Sequence, residues 1–324
     1  MVQPNSSFDE LASLTIANYS SDLRDNVSNN IPLYFWMKEL GAVVEESGGT
    51  VLLENLDFGD NPTFKWFNGY EELNTTPGEV ISSASYDWKE GNVNIIFNRR
   101  EQGINGSPEK RHDLIKGKTK NGERTLTNNI GAALYYSNTE SDGKAIGGLA
   151  AAVSVTPTTG IYGGINRATA GNEFWRNQTV DMTDDSITIS STTIQEAMEL
   201  GWARAARNMD VPTLIPAGDT YWRYFSKSVG DNQRYIRETM SEKAKVSHVG
   251  YMFKTAIAFH DPNCAAARMY LLNTDYLKLK VHKDRNMTPL PPRYPAGQAA
   301  TVIPIDFMGN LVCGNASLQC VLKD

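Results

Sequence analysis

The 324-residue chain predicts an α+β fold. Three observations carry that expectation. Apolar residues alternate with period two around Ala84–Phe97 and again in the C-terminal run from residue 300, as half-buried strands require. Between them, Leu114, Ile115, Leu126, Ile130, Ala133 and Leu134 keep helical spacing. Strand-like and helical runs then mix through the middle of the chain, with no internal repeat.

From the N-terminus, Ser7 caps a helical pattern of Phe8, Leu11, Leu14 and Ile16 up to Tyr19, with Asp9 and Glu10 in its first turn. The cluster Ile31 to Leu40 extends it into an amphipathic arm whose apolar stripe needs a partner surface. Two β-rich runs, 50–58 and 63–70, flank Gly59-Asp60-Asn61-Pro62, a strong turn signal. They predict a long hairpin, hinged by Gly48-Gly49 and by Pro77-Gly78, whose second strand carries Phe64-Lys65-Trp66-Phe67. A second strand–turn–strand unit follows, turning at Lys89-Glu90-Gly91-Asn92. Ser107-Pro108-Glu109 starts a helix that runs to Tyr136. Gly117 and Gly122 each cost about 1 kcal/mol inside it, so the pattern allows a break near Asn121-Gly122.

Residues 150–156 read as a strand ending at Pro157, and Ser190 or Ser191 opens a helix through Ile194, Met198, Leu200 and Ala205. A short buried strand at 211–218 and a helix from Asp219 come next. Strands at 246–260 and 268–282, a Pro-rich connector, and a terminal meander turning at 309–310 and 314–315 complete the chain.

Net charge is −6 with a pI of about 5.4, which disfavours a grip on nucleic acid through phosphate neutralisation. Three cysteines, Cys264, Cys313 and Cys320, are too few for a disulfide framework and fit a reducing compartment. No signal-peptide pattern and no membrane-spanning run is present, so a soluble protein is expected.

Motifs for chemistry fail one by one. Gly117-Lys118-Thr119 ends like a phosphate loop, but His112 stands where its first glycine belongs. Gly163-Gly164 does not extend to a dinucleotide fingerprint. His260-Asp261-Pro262-Asn263-Cys264 brings three reactive types together in what reads as a plain turn, and Asp184-Asp185 reads as a solvated carboxylate pair. No catalytic residue, cofactor or metal site is expected.

The order of parts, and three stretches in particular, resemble the tailed-bacteriophage major capsid proteins of Hong Kong 97-type fold. They are "YFWMKELGAVVEESGGTVLLENL", "GGINRATAGNEFWRN" and "PLPPRYPAGQAATVIPIDFMGNLVCGNASLQCVLKD". Asn166 and Phe174 depart from the Asp and Trp of one branch of that family. The resemblance implies an N-terminal arm (1–46), an extended hairpin loop (47–78), a peripheral domain with a long spine helix (79–140), an axial domain (141–284) and a return to the peripheral domain (285–324). It implies pentamers and hexamers in an icosahedral shell that encloses DNA without sequence-specific binding. The shell would be a virion component built in the host bacterial cytoplasm with a separate scaffolding protein, a portal and decoration proteins. Lys65 lies in the loop that carries a crosslinking lysine in the type member, but no Asn partner or catalytic Glu is identified. Aromatic and arginine content, which marks buried anchors at interfaces, nominates Phe35, Trp36, Phe64, Lys65, Trp66, Phe67, Arg167, Trp175 and Arg176 as interface residues. The competing expectation is an intracellular α+β enzyme or ligand-binding protein with a pocket at 160–176.

Overall fold

A computed structural model describes residues 26–27, 29–59, 63–76, 81–98, 100, 108–229, 250–295, 297 and 299–324. The helix expected at 7–19 lies outside them. Helix α1 (Pro32–Glu39) starts with Pro at its first position, where the missing N–H costs nothing. Every residue from Pro32 to Met37 is buried, so α1 is enclosed on all sides by its own chain and not on one stripe.

Two sheets organise the molecule. The four-stranded sheet has the order β1 (Val43–Glu46), β12 (Leu277–Pro289), β13 (Ala300–Cys313), β4 (Lys89–Asn98), parallel at β1–β12 and antiparallel elsewhere. Helix α2 (Pro108–Ala133) lies against β4. The six-stranded sheet runs β7 (Gln178–Asp181), β14 (Cys320–Lys323), β11 (Arg268–Leu271), β8 (Leu214–Ala217), β10 (Ala256–His260), β9 (Gly250–Phe253). Its strands pack on α4 (Ile194–Ala205) and α5 (Asp219–Val229). The remaining pairs are β2 (Leu52–Asp57) with β3 (Ile81–Tyr86), and β5 (Ile161–Tyr162) with β6 (Ile165–Asn166). The division expected at 284/285 falls inside β12, and the last strand joins the six-stranded sheet while β13 belongs to the other.

Several sequence expectations change. β2 pairs with β3 and not with residues 63–70, which form no strand; Phe64–Tyr70 are all exposed and lack the alternation of a half-buried strand. Residues 89–92 lie within β4, because β3 and β4 belong to different sheets and the chain turns at Asp87-Trp88. In place of a strand at 150–156 there is a helical turn, α3 (Leu149–Ala152). The strands expected at 246–260 and 268–282 are each two, β9–β10 and β11–β12. Residues 309–310 sit inside β13, where Gly309 is needed for close approach: a Cβ there would meet the Lys280 carbonyl oxygen of β12 at 2.7 Å. A helix-start at Ser190 is replaced by a turn whose hydroxyls bond Thr192 and Thr193, with α4 following.

Helix α2 is continuous through both glycines. Gly122 faces β4, and a Cβ there would only reach ordinary contact with Ile95 at 3.4 Å and Val93 at 3.7 Å. Its C-terminal end is tied in by Tyr135, whose hydroxyl donates to Asp261 at 3.0 Å. The same buried carboxylate accepts the Leu33 amide at 3.3 Å and the Asn263 amide at 2.9 Å, joining α1, α2 and the six-stranded sheet at one point.

Candidate subunit interface

Within the stretch from Tyr162 to Gln178, all three glycines have positive φ, and Gly163 packs where a Cβ would come within 2.9 Å of Ala84 and Tyr86. Only glycine allows the chain to touch β3 there. The Gly163 carbonyl accepts the Ser85 amide at 3.0 Å. Arg167, 2% exposed, donates to the carbonyls of Ala151 (3.0 Å), Ala152 (2.7 Å) and Trp175 (3.3 Å), capping α3 from inside. Burial lowers its pKa below the usual guanidinium range, while the neighbouring Tyr162 acts in the opposite direction. The guanidinium sits 5.4 Å from the Tyr162 ring, which stacks on Trp175; the Trp175 indole donates to the Tyr162 carbonyl at 2.9 Å. Arg176 donates to the Arg167 carbonyl at 3.0 Å.

This cluster braces the root of the β2–β3 hairpin. Phe174 stacks on Phe58, just beyond β2, at 4.5 Å. Tyr86 of β3 donates to the Cys313 carbonyl at 2.8 Å, and Tyr162 donates to that of Leu311 at 3.1 Å. A second tie is ionic: Lys280 of β12 meets Glu54 of β2 at 2.6 Å and Glu46 of β1 at 3.3 Å. The Trp88 indole donates to the carbonyl of Gly49, one of two successive glycines with positive φ before β2.

Beyond this fixed root, residues 63–76 project an apolar surface into solvent. Trp66 is 87% exposed, Phe64, Phe67 and Leu73 are exposed, and Tyr70 is fully so. Phe64 and Trp66 meet edge to face at 5.5 Å, and Lys65 pairs with Glu71 at 2.8 Å, drawing the two sides of the loop together. Exposed aromatics in such density lose burial free energy unless something covers them.

The nine candidate interface residues therefore separate. Phe64, Lys65, Trp66 and Phe67 share this loop. Phe35, Trp36, Arg167 and Trp175 are buried within the chain itself, where they hold the fold together; Arg176 is half-buried and also approaches Glu173 at 3.7 Å. Tyr70, at the end of the run 63–70, and Leu73, beyond it, complete the loop surface; Asp261 was read only as part of a plain turn and Phe58 only as the end of a strand.

The other motifs resolve into structure. Gly117-Lys118-Thr119 lies mid-helix in α2, with no loop to cradle phosphate. Asp185 forms a two-pronged pair with Arg204 at 2.6 and 2.8 Å. The Cys264 thiol is pushed up by burial, away from nucleophilic reactivity. All three cysteines are free and fully enclosed, with Cys313 and Cys320 in different sheets. Among the described residues no group of three or more His, Cys, Asp or Glu is placed to hold a metal, and no helix is long and apolar enough to cross a membrane. The cavity beside Phe174 and Trp175 holds about 60 Å³, against roughly 300–1,000 Å³ for ligand sites.

No family model matches the sequence, and no curated protein matches it. Solved structures do. The capsid of cyanophage A-1(L) superposes with a TM-score of 0.65 at 18% identity, over 89% of this chain and 92% of that one. The capsid of Myoviridae phage XM1 gives 0.54 at 12% identity, over 89% and 91%. A virus-like particle from Pyrococcus furiosus gives 0.52 at 14% identity, over 95% and 99%. With the braced hairpin, the continuous long helix and the two sheets in place, the architecture of this chain is the Hong Kong 97-type capsid fold.

Proposed function

We propose that this chain is the major capsid protein of a tailed bacteriophage, a structural subunit that forms pentamers and hexamers of an icosahedral head around double-stranded DNA and performs no catalysis. The observation that carries this reading is the aromatic loop at 63–76, exposed on a hairpin whose root is fixed and supported by the likeness to capsids. A rigid root with an apolar tip is suited to covering a neighbour. Heterologous contacts of that kind close into rings of five or six from a single sequence. Residues 47–78 are the extended loop in this reading, closed by the pairing of β2 with β3, residues 1–46 the arm, 79–140 and 285–324 the peripheral domain, and 141–284 the axial domain, with β12 crossing the last boundary and β14 joining the axial sheet. The subunit resides in the virion, after assembly in the host bacterial cytoplasm with separate scaffolding, portal and decoration proteins.

Negative-stain microscopy of protein co-expressed with its scaffolding partner tests the reading. Closed particles are expected, and the combined substitution Phe64→Ser, Trp66→Ser and Phe67→Ser is expected to leave folded subunits that no longer assemble. A compact monomer at high concentration in the presence of the partner, or unimpaired assembly of the triple variant, contradicts it. Particles that never contain DNA when the packaging machinery is present would point instead to an empty shell.

A further inference from the structure

Helix α2 carries Lys116, Lys120 and Arg124 at successive i, i+4 positions, and all three are exposed. None makes an ion pair among the described residues. Elsewhere the chain pairs cations across elements, as at Arg204–Asp185, Lys323–Asp181 and Arg285–Glu90. The neighbouring Lys118 is turned away, donating to the Ile96 carbonyl at 2.8 Å. Like charges at i, i+4 destabilise the helix that carries them, and this helix also contains Gly117 and Gly122. A face that repels itself, in a chain of net charge −6, invites an anionic partner.

The stripe borders a cleft of about 470 Å³ lined by Asn30, Gly117, Lys120, Asn121, Arg124 and Thr127. Glu123 also lines it but is turned inward, 8% exposed. Apart from the cations, Asn30 and Asn121 present neutral amides, groups that serve phosphate oxygens. Among the described residues that line it there is no aromatic side chain of the kind that stacks on unpaired bases. The stripe rises about 12 Å along the helix, and one strand of a duplex presents a phosphate about every 3.4 Å of its axis.

We propose that this face of α2 binds the phosphate backbone of double-stranded DNA without sequence preference. The partner follows from the shell reading, which supplies a duplex as the enclosed polyanion. Three cations on a protein that repels DNA elsewhere give a weak, salt-sensitive contact, repeated once per subunit.

Fluorescence anisotropy of the full-length, unassembled chain with a short duplex of random sequence tests this. Three phosphate contacts give a slope of about −2.7 in log affinity against log salt, so raising salt from about 50 to about 200 mM weakens binding about 40-fold. The combined variant K116Q, K120Q and R124Q, with circular dichroism unchanged, is expected to lose that binding and its salt slope while still forming particles. Equal DNA binding by wild type and variant overturns the proposal. So does polyglutamate binding to the wild type where DNA does not, which would assign the face to an acidic polypeptide. Failure of the shell reading is separate, since it is read from particle formation and not from this titration.

Discussion

At Arg167 and Trp66 the same reasoning from residue type, that arginine and tryptophan anchor interfaces, meets two different environments. Arg167 satisfies three backbone carbonyls inside the fold, and removing it leaves them buried without donors. Arg167→Met is therefore expected to destabilise the unassembled subunit by about 3 kcal/mol, since each orphaned buried acceptor costs about 1–3 kcal/mol. Trp66 is almost wholly in solvent, so Trp66→Ala is expected to change subunit stability by less than about 0.5 kcal/mol while weakening assembly. Urea denaturation read against light scattering of assembly separates the two, and a large loss of stability in the Trp66 variant would reverse the assignment. The sequence could not distinguish these residues because burial depends on what folds over a side chain. Arg167 is covered through α3 and Tyr162, neither of which announces a cap for an arginine in its own pattern. For the loop, the aromatic density of "FKWF" was legible, but the strand expected at 63–70 does not form, since β2 takes β3 as its partner.

Elements were legible where one face sets a period, and obscure where pairing partners lie far apart. The alternation through Ala84, Tyr86, Ile95 and Phe97 located β3 and β4, but β3 finds its partner in β2 and β4 finds its partner in β13, over 200 residues away. Local turn chemistry at 89–92 could not reveal that. For α2 the glycine penalties were real but tertiary packing outweighs them, since Leu126, Ile130 and Leu134 are buried against the core. The penalties remain measurable. At Gly117 nothing lies within 4 Å of an added Cβ, so Gly117→Ala is expected to stabilise the subunit by about 1 kcal/mol. Gly148 is the opposite case, because a Cβ would sit 2.5 Å from the carbonyl oxygens of Ala133 and Leu134 at the end of α2. Gly148→Ala is expected to cost about 3 kcal/mol, at the upper end of overpacking. Denaturant midpoints of the two variants should move in opposite directions. A lower midpoint for Gly117→Ala would mean that α2 is not a continuous helix in solution.

For the whole molecule, charge and burial together define the pH range of stability. The acid limit belongs to the six-stranded sheet and its helix. The Arg204 hydrogen bonds hold the Asp185 carboxyl below its ordinary value, and the Lys323 hydrogen bond does the same for Asp181. A depressed carboxylate contributes stability above its unfolded value, 3.8, which is lost as pH falls through the folded one. The alkaline limit belongs to both buried clusters. Burial pushes Cys313 in the larger cluster and Cys320 in the smaller one up to about 12, from an ordinary 9.0. Burial likewise raises Tyr270 to about 12 from 10.0, and it raises Tyr86, Tyr135 and Tyr162 well above the ordinary phenol range. Above about pH 9 the unfolded chain releases thiol protons that the folded chain keeps, so it binds fewer protons and stability falls as pH rises. Each thiol contributes up to about 1.4 kcal/mol per pH unit until its folded pKa is reached. Thermal melting is therefore expected to show a plateau from about pH 4 to 9 and a steepening decline above it. Cys313→Ala should lower stability at neutral pH, because it leaves a cavity, yet flatten the alkaline decline by one such increment. A profile that stays level to pH 11, or a Cys313→Ala slope equal to that of the wild type, would show that the thiols are not enclosed as both cores require.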